Sequence, residues 1–275
     1  MKFYKMHGIG NDYIYIDCFQ EKVDNPHELA IKLSDRHFGI GGDGIVLILP
    51  SDVADCKMDM YNADGSQGKM CGNAIRCVAK YLFDQGLAEE VKLSIETLSG
   101  IKQVRLNFRN GVLDDITVNM GVPVFSYNIS SDEKMSETIE AGGEIFDITN
   151  VSMGNPHAVI FVDDVDSTPV EEIGKVIENH PSFPDRTNVE FVEIIDDSTI
   201  KMRVWERGSG ETLACGTGAC ASLVACVLNG RTKNDACVKL RGGDLKINWD
   251  KGRNTVMMTG KVKKVFYGFV EPKEL

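Results

Sequence analysis

The sequence predicts a mixed α/β (α+β) protein made of two pseudo-symmetric copies of one unit. Each copy is expected to be a curved, mostly antiparallel sheet or barrel around a central helix, with a candidate site in the cleft between them. Three observations predict this. Strand-length apolar runs alternate with a few helical stretches. Two of those stretches, Ala74 to Phe83 and Ala219 to Leu228, are apolar on nearly every face, the pattern of a helix enclosed by other elements. Landmarks of the first half also return in the second at a spacing of 144 residues, and a shared spacing at several places marks an internal duplication.

The landmarks run along the chain in order. Gly10-Asn11 before the strand Tyr13 to Asp17 matches Gly154-Asn155 before Ala158 to Asp163. His27 to Arg36 and Val170 to His180 carry helical spacing and end near polar or Gly/Pro-rich turns. Gly44 before a strand to Leu49 matches Asn188 before VEFVEI, and after the strand Lys57 to Tyr61 the pair Tyr61-Asn62 matches Trp205-Glu206. Cys71-Gly72 and Cys215-Gly216 open the two apolar helices, and Gly86 and Gly230 close them. Downstream, Val91 to Leu93 answers Val238 to Leu240 with a three-residue slip, as a loop insertion gives. Val122 to Glu144, with its polar run SSDEKMSE, reads as a connection, and Val262 to Val270 reads as a strand without a unit of its own that returns to the first half. The expected domains are therefore 1–117, with 262–275 returning to it, and 118–261.

Composition narrows the function. A chain of 275 residues with 43% apolar and 26% charged residues has the make-up of a folded globular protein, not a fibre or a tail. The net charge of −11 comes without a basic cluster, which argues against nucleic-acid and anionic-membrane surfaces and leaves a small-molecule ligand. No apolar run approaches the roughly 18 residues of a membrane span, and the opening MKFYKMHGIGND does not read as a targeting segment, so a cytoplasmic protein is expected. Eight cysteines without a C-x-x-C spacing read as free thiols, with no metal site expected.

Two of these thiols stand apart. Cys71 and Cys215 each begin an apolar helix and are followed by glycine, leaving the first-turn amides of 72–74 and 216–218 uncovered. Such a terminus stabilises an anion and draws a capping thiol from its ordinary pKa of about 8.5 toward neutrality. Two activated thiols related by a duplication suit inversion at a carbon centre, where one base removes a proton and the other delivers one from behind. Cys18, Cys56, Cys77, Cys220, Cys226 and Cys237 lie inside the apolar helices or at strand edges and read as packing.

The stretches MHGIGNDY, YNADGSQGKMCGNAIRC, VSMGNPHAV and WERGSGETLACGTGACAS resemble the diaminopimelate epimerase family, pyridoxal-independent enzymes of lysine and peptidoglycan precursor synthesis. The resemblance runs the length of the chain. It implies a homodimer acting without a cofactor on LL- and meso-2,6-diaminopimelate. It also implies that Cys71 and Cys215 are the acid/base pair, and that Gly72, Asn73, Gly216 and Thr217 hold the reacting carboxylate. By the same resemblance Asn11, Asn62, Asn155, Asn188, Glu206 and Arg207 line the rest of the substrate site, and His157 and Glu206 tune the thiols. Some members carry Gln where this chain has Gly44, so that contact is expected to be missing or supplied otherwise.

The residue types fit these roles. A guanidinium grips a carboxylate in a planar fork, and asparagines serve an ammonium and a carboxylate together. A related thiol racemase acting on proline, hydroxyproline or histidine would leave Arg207 and the distal asparagines without a use. A redox sensor built on the two thiols is the reading from another class. Gly39-x-Gly41-x-x-Gly44 matches a dinucleotide fingerprint, yet the strand follows the glycines, so a turn is expected there and another at Asn62 to Ser66. His7, His27, His37 and His180 are assigned surface or capping roles.

Overall fold

The computed structural model describes residues 1–88, 90–125 and 135–271. The chain divides into two compact units, Met1–Asn119 with Thr259–Leu275, and Met120–Met258. No helix among the described residues is long and apolar enough to cross a membrane.

The first unit runs β1 (Lys2–Gly8), β2 (Asn11–Asp17), α1 (Pro26–Ser34), β3 (Gly44–Leu49), β4 (Cys56–Asn62), β5 (Gln67–Gly68), α2 (Gly72–Asp84), β6 (Lys92–Glu96), β7 (Lys102–Arg109) and β8 (Val112–Gly121). The second runs β9 (Glu137–Ala141), β10 (Glu144–Ser152), β11 (Pro156–Phe161), α3 (Val170–Glu178), β12 (Asn188–Asp196), β13 (Thr199–Glu206), β14 (Gly210–Glu211), α4 (Gly216–Leu228), β15 (Asp235–Leu240), β16 (Gly243–Asp250) and β17 (Thr255–Gly260), before β18 (Lys263–Phe269).

The duplication holds down to strand register. β2 pairs parallel with β3 through Ile14↔Ile45, and β11 pairs parallel with β12 through Ala158↔Val189, the same positions 144 residues on. β4 and β6 are likewise parallel, as are β13 and β15. The other described pairings are antiparallel, so each sheet is mixed. Parallel neighbours need a crossover, and α1 and α3 supply the first in each unit. Asn25 caps α1 by accepting from the Glu28 amide, with Pro26 at the first helical position, where its missing N–H costs nothing.

Strand alternation assigns the two sheet faces. Ile14, Ile16, Ala30, Leu33, Ile45 and Leu47 form one core in the first unit, so α1 covers that face. Ala158, Ile160, Val170, Ile177, Val189 and Phe191 do the same beneath α3 in the second unit. The opposite faces receive the central helices: α2 packs on β1, β2 and β7, and α4 packs on β10, β11, β12, β13, β15 and β16. Ten of the 13 residues of α4 are buried, as its apolar sequence requires.

Three expectations are revised. The match downstream of the central helices is not Val91 with Val238. Cys56↔Ile95 and Ile200↔Val238 are equivalent parallel pairs, so Ile95 answers Val238 at a slip of one residue, because burial of Leu93 and Ile95, not sequence likeness, fixes register. The segment expected as a connection contains β9, which pairs with β10 because Ile139 and Ala141 alternate into the core under α3; much of its SSDEKMSE run lies outside the described residues. The last strand does return, with β18 antiparallel to β1, but it has a counterpart, since β9 serves β10 as β18 serves β1.

Gly174 in α3 shows where the units diverge. A Cβ there would stand 2.4 Å from Trp205 Cβ, whereas Ala30 sits fully buried at the matching position of α1. Gly174→Ala gains about 1 kcal/mol of helix propensity but overpacks the contact with β13. A net loss of about 2 kcal/mol in denaturant unfolding is expected, and a gain would show that α3 can lift off the sheet freely.

Candidate active site

Cys71 and Cys215 occupy the same structural position. Each is the N-cap of its central helix in extended backbone, φ −132° and −117°, and accepts the first intrahelical bond from Ile75 or Ala219 at 3.0 Å. The first-turn amides that follow have no intrahelical acceptor and carry the positive end of the helix dipole.

Around Cys71 the surroundings are amide-rich. The thiol donates to Asn11 Oδ1 at 3.3 Å, and Asn11 Nδ2 donates to Asp43 Oδ2 at 2.8 Å. The Asp12 amide also donates to Asp43, while Arg36 bridges Asp12 and Asp43, so an ionic cluster fixes Asn11 from behind. Asn73 is buried and accepts from Arg76 at 2.8 Å, and Arg76, itself fully buried, also donates to Gly72 O at 3.1 Å. Asn62 Nδ2 donates to Ser66 Oγ at 3.0 Å in the turn expected there.

Around Cys215 the surroundings are carboxylate-rich. The sulfur accepts from the Gly218 amide at 3.4 Å and lies 3.5 Å from Thr217 Oγ1. Glu206 accepts from the Thr212 hydroxyl, and its carboxylate lies near enough to Cys215 to act on it electrostatically. His157 is buried, with Nδ1 2.6 Å from Glu190 Oε1 and Nε2 3.1 Å from Asn155 Oδ1, and Asn155 Nδ2 donates to Thr217 at 3.3 Å. Asn188 is held between Pro156 O and the Arg207 amide, and the exposed Arg207 guanidinium donates to Asp185 O at 2.8 Å.

The expectation that the helix terminus draws Cys215 toward neutrality is overturned. Burial pushes the thiol well above its ordinary value, and the nearby Glu206 and Glu190 carboxylates add to the rise. These outweigh the bonds from Thr217 and Gly218. Burial also holds Glu206 and Glu190 above the usual carboxylate range. Of the other cysteines, Cys56, Cys77 and Cys226 are pushed up to about 12 and Cys18 to about 11, mainly by burial, which leaves them poor nucleophiles.

Gly44 is fixed by its neighbours, since a Cβ there would lie 2.0 Å from Tyr61 O. With this backbone no glutamine side chain fits at position 44. Gly39 to Gly44 forms turns leading into β3, with no helix opening on a phosphate site. Among the described residues no group of three His, Cys, Asp or Glu stands ready to hold a metal. Asp43 and Glu190 belong to these networks and were missed from sequence. A charged residue inside the buried run Asn188–Val192 was the available signal for Glu190.

The model of the diaminopimelate epimerase family matches residues 3–126 and 149–265. The chain belongs to the diaminopimelate epimerase family. It is 56% identical over 280 residues to diaminopimelate epimerase of Acetivibrio thermocellus, covering all of both chains. It is 53% identical to that of Methanococcus maripaludis, covering 98% of this chain and all of the other. The fold is shared more widely. A phenazine biosynthesis protein of the PhzF family from Bacillus anthracis superposes with a TM-score of 0.74 at 17% identity, over 98% of this chain and 99% of that one. A probable proline racemase from Agrobacterium radiobacter superposes at 0.72 and 16%, over 98% and 93%. Within the diaminopimelate epimerase family, then, this chain places one cysteine at each of two duplicated helix starts and surrounds them differently.

That difference is measurable. The Glu206 carboxylate disfavours a neighbouring thiolate once it is ionised, so Glu206→Gln should speed iodoacetamide alkylation of Cys215 at pH 8 by about tenfold and leave Cys71 unchanged. An unchanged or slower rate at Cys215, read by peptide mass spectrometry, would contradict the electrostatic account.

Proposed function

We propose that this chain interconverts LL- and meso-2,6-diaminopimelate without a cofactor, in lysine and peptidoglycan precursor synthesis, by passing protons through Cys71 and Cys215. One thiolate takes the α-proton and becomes a thiol. The electron pair left on carbon is held by the adjacent carboxylate, and the other cysteine delivers its S–H proton to the opposite face and becomes the thiolate. Either direction of reaction uses the same pair in opposite roles.

The observation that carries this reading is the pair of equivalent cysteine N-caps in a chain of this family. The α-proton of an amino acid is far less acidic than a thiol, so most of the barrier falls to stabilising the enediolate. First-turn amides at Gly72-Asn73 and Gly216-Thr217 are suited to that, because they are fixed donors that need no reorganisation. Without an electron sink such as pyridoxal, the protein's own dipoles supply the stabilisation. Asn11, Asn62, Asn155, Asn188, Glu206 and Arg207 are assigned to binding the amino and carboxylate groups, with Arg207 gripping a carboxylate. His157 and Glu206 are assigned to tuning the thiols. A cytoplasmic homodimer, with no nucleic-acid or membrane partner, is the expected working state.

Incubation with LL-diaminopimelate in deuterated water should place deuterium at the inverted α-carbon. Cys71→Ala and Cys215→Ala should each lower epimerisation by at least about 10³-fold, the scale on which an essential acid or base acts. Retained turnover in either variant, or faster turnover of free proline or histidine than of diaminopimelate, would overturn the proposal.

A further inference from the structure

Glu190 is the one strongly polar side chain that β12 turns toward α4 with no place in the reaction as assigned. Its neighbours Val189 and Phe191 point to the α3 core, so alternation sends Glu190 to the other face, and a Cβ on Gly218 would lie 2.6 Å from Glu190 Oε1. Glu190 is fully buried, and its Oε2 has no hydrogen-bond partner among the described residues. An under-bonded buried carboxylate is costly, and the matching residue of the first unit is Val46, so the fold does not require a carboxylate there.

The hydrogen bonds give it a use. Asn155 Nδ2 donates to Thr217, so Asn155 Oδ1 is the atom facing His157, and His157 Nε2 must carry the proton. His157 Nδ1 then meets Glu190 Oε1 at 2.6 Å, with one proton held between them. Thr217, already accepting from Asn155, has its hydroxyl proton left for Cys215 Sγ at 3.5 Å. Every donor in the chain His157, Asn155, Thr217 therefore points toward the sulfur, and Glu190 is the end that sets this polarity.

We propose that Glu190 is a positioning residue for Cys215, anchoring the His157–Asn155–Thr217 chain so that a hydroxyl proton is aimed at the sulfur whenever it becomes a thiolate. The matching positions in the first unit, Val46, Tyr13, Asn11 and Asn73, do not repeat the chain, so the device serves one thiol alone. It rests on the assignment of Cys215 as a reacting thiol.

The test is a double-mutant cycle between Glu190→Leu and Thr217→Val, with Glu190→Gln as the conservative control. Glu190→Leu should lower kcat for diaminopimelate about tenfold with KM within about threefold, the scale of one charge-assisted bond acting on a reacting atom. Glu190→Gln, whose amide can still bond His157 Nδ1, should keep kcat within about threefold of the starting enzyme. In the Thr217→Val background, where the last link is gone, Glu190→Leu should change kcat by less than about twofold, because coupled residues are non-additive. Damage to packing alone would instead add, and additive losses, or a Gln variant as slow as Leu, would overturn the proposal. The same cycle read as iodoacetamide alkylation of Cys215 needs no substrate. Loss of coupling there overturns the role of Glu190, whereas failure of the starting enzyme to epimerise diaminopimelate overturns only the substrate reading.

Discussion

The structure depends on one constraint used twice, an α-helix whose first turn begins at a cysteine cap. Backbone N–H groups in that turn have no intrahelical acceptor, and burying them without a partner is expensive. The sheet around each helix has to bring the terminus to a place where polar groups or a ligand can meet it. The parallel crossovers β2–α1–β3 and β11–α3–β12 do this, because they set Asn11 and Asn155 at one strand's start and Gly44 and Asn188 at its neighbour's. These strand starts lie at equivalent positions of the two units, which is why their residues recur at the 144-residue spacing.

On this symmetric frame the electrostatics are asymmetric. Cys71 meets an asparagine held by an Asp–Arg–Asp cluster, with the buried Arg76 below its helix start. Cys215 has the Glu206 and Glu190 carboxylates near it, the latter bonded to His157. Divergence of the duplicated halves thus gives each thiol its own electrostatic surroundings.

The burial that raises Cys215 also strengthens the field of its helix start on any charge beside it. In a low-dielectric setting fixed donors act strongly, and the same setting disfavours a thiolate beside carboxylates.

The sequence by itself determined the duplication, the two central helices and the two cysteines. Each rests on local pattern: a period, a cap, a spacing repeated 144 residues on, as Cys71 and Cys215 show. The asparagines and Arg207 entered through family motifs, which sequence also carries. What only the tertiary structure decided was what surrounds each thiol. β9 was hidden because a five-residue strand has too few alternations to stand out from a polar segment. Glu190 and Asp43 were hidden because their partners, His157 and Asn11, lie about thirty residues away across a parallel crossover that no local pattern encodes. The rise of Cys215 is also tertiary in origin, since a helix start predicts a lowered thiol until packing buries it and brings two carboxylates near it.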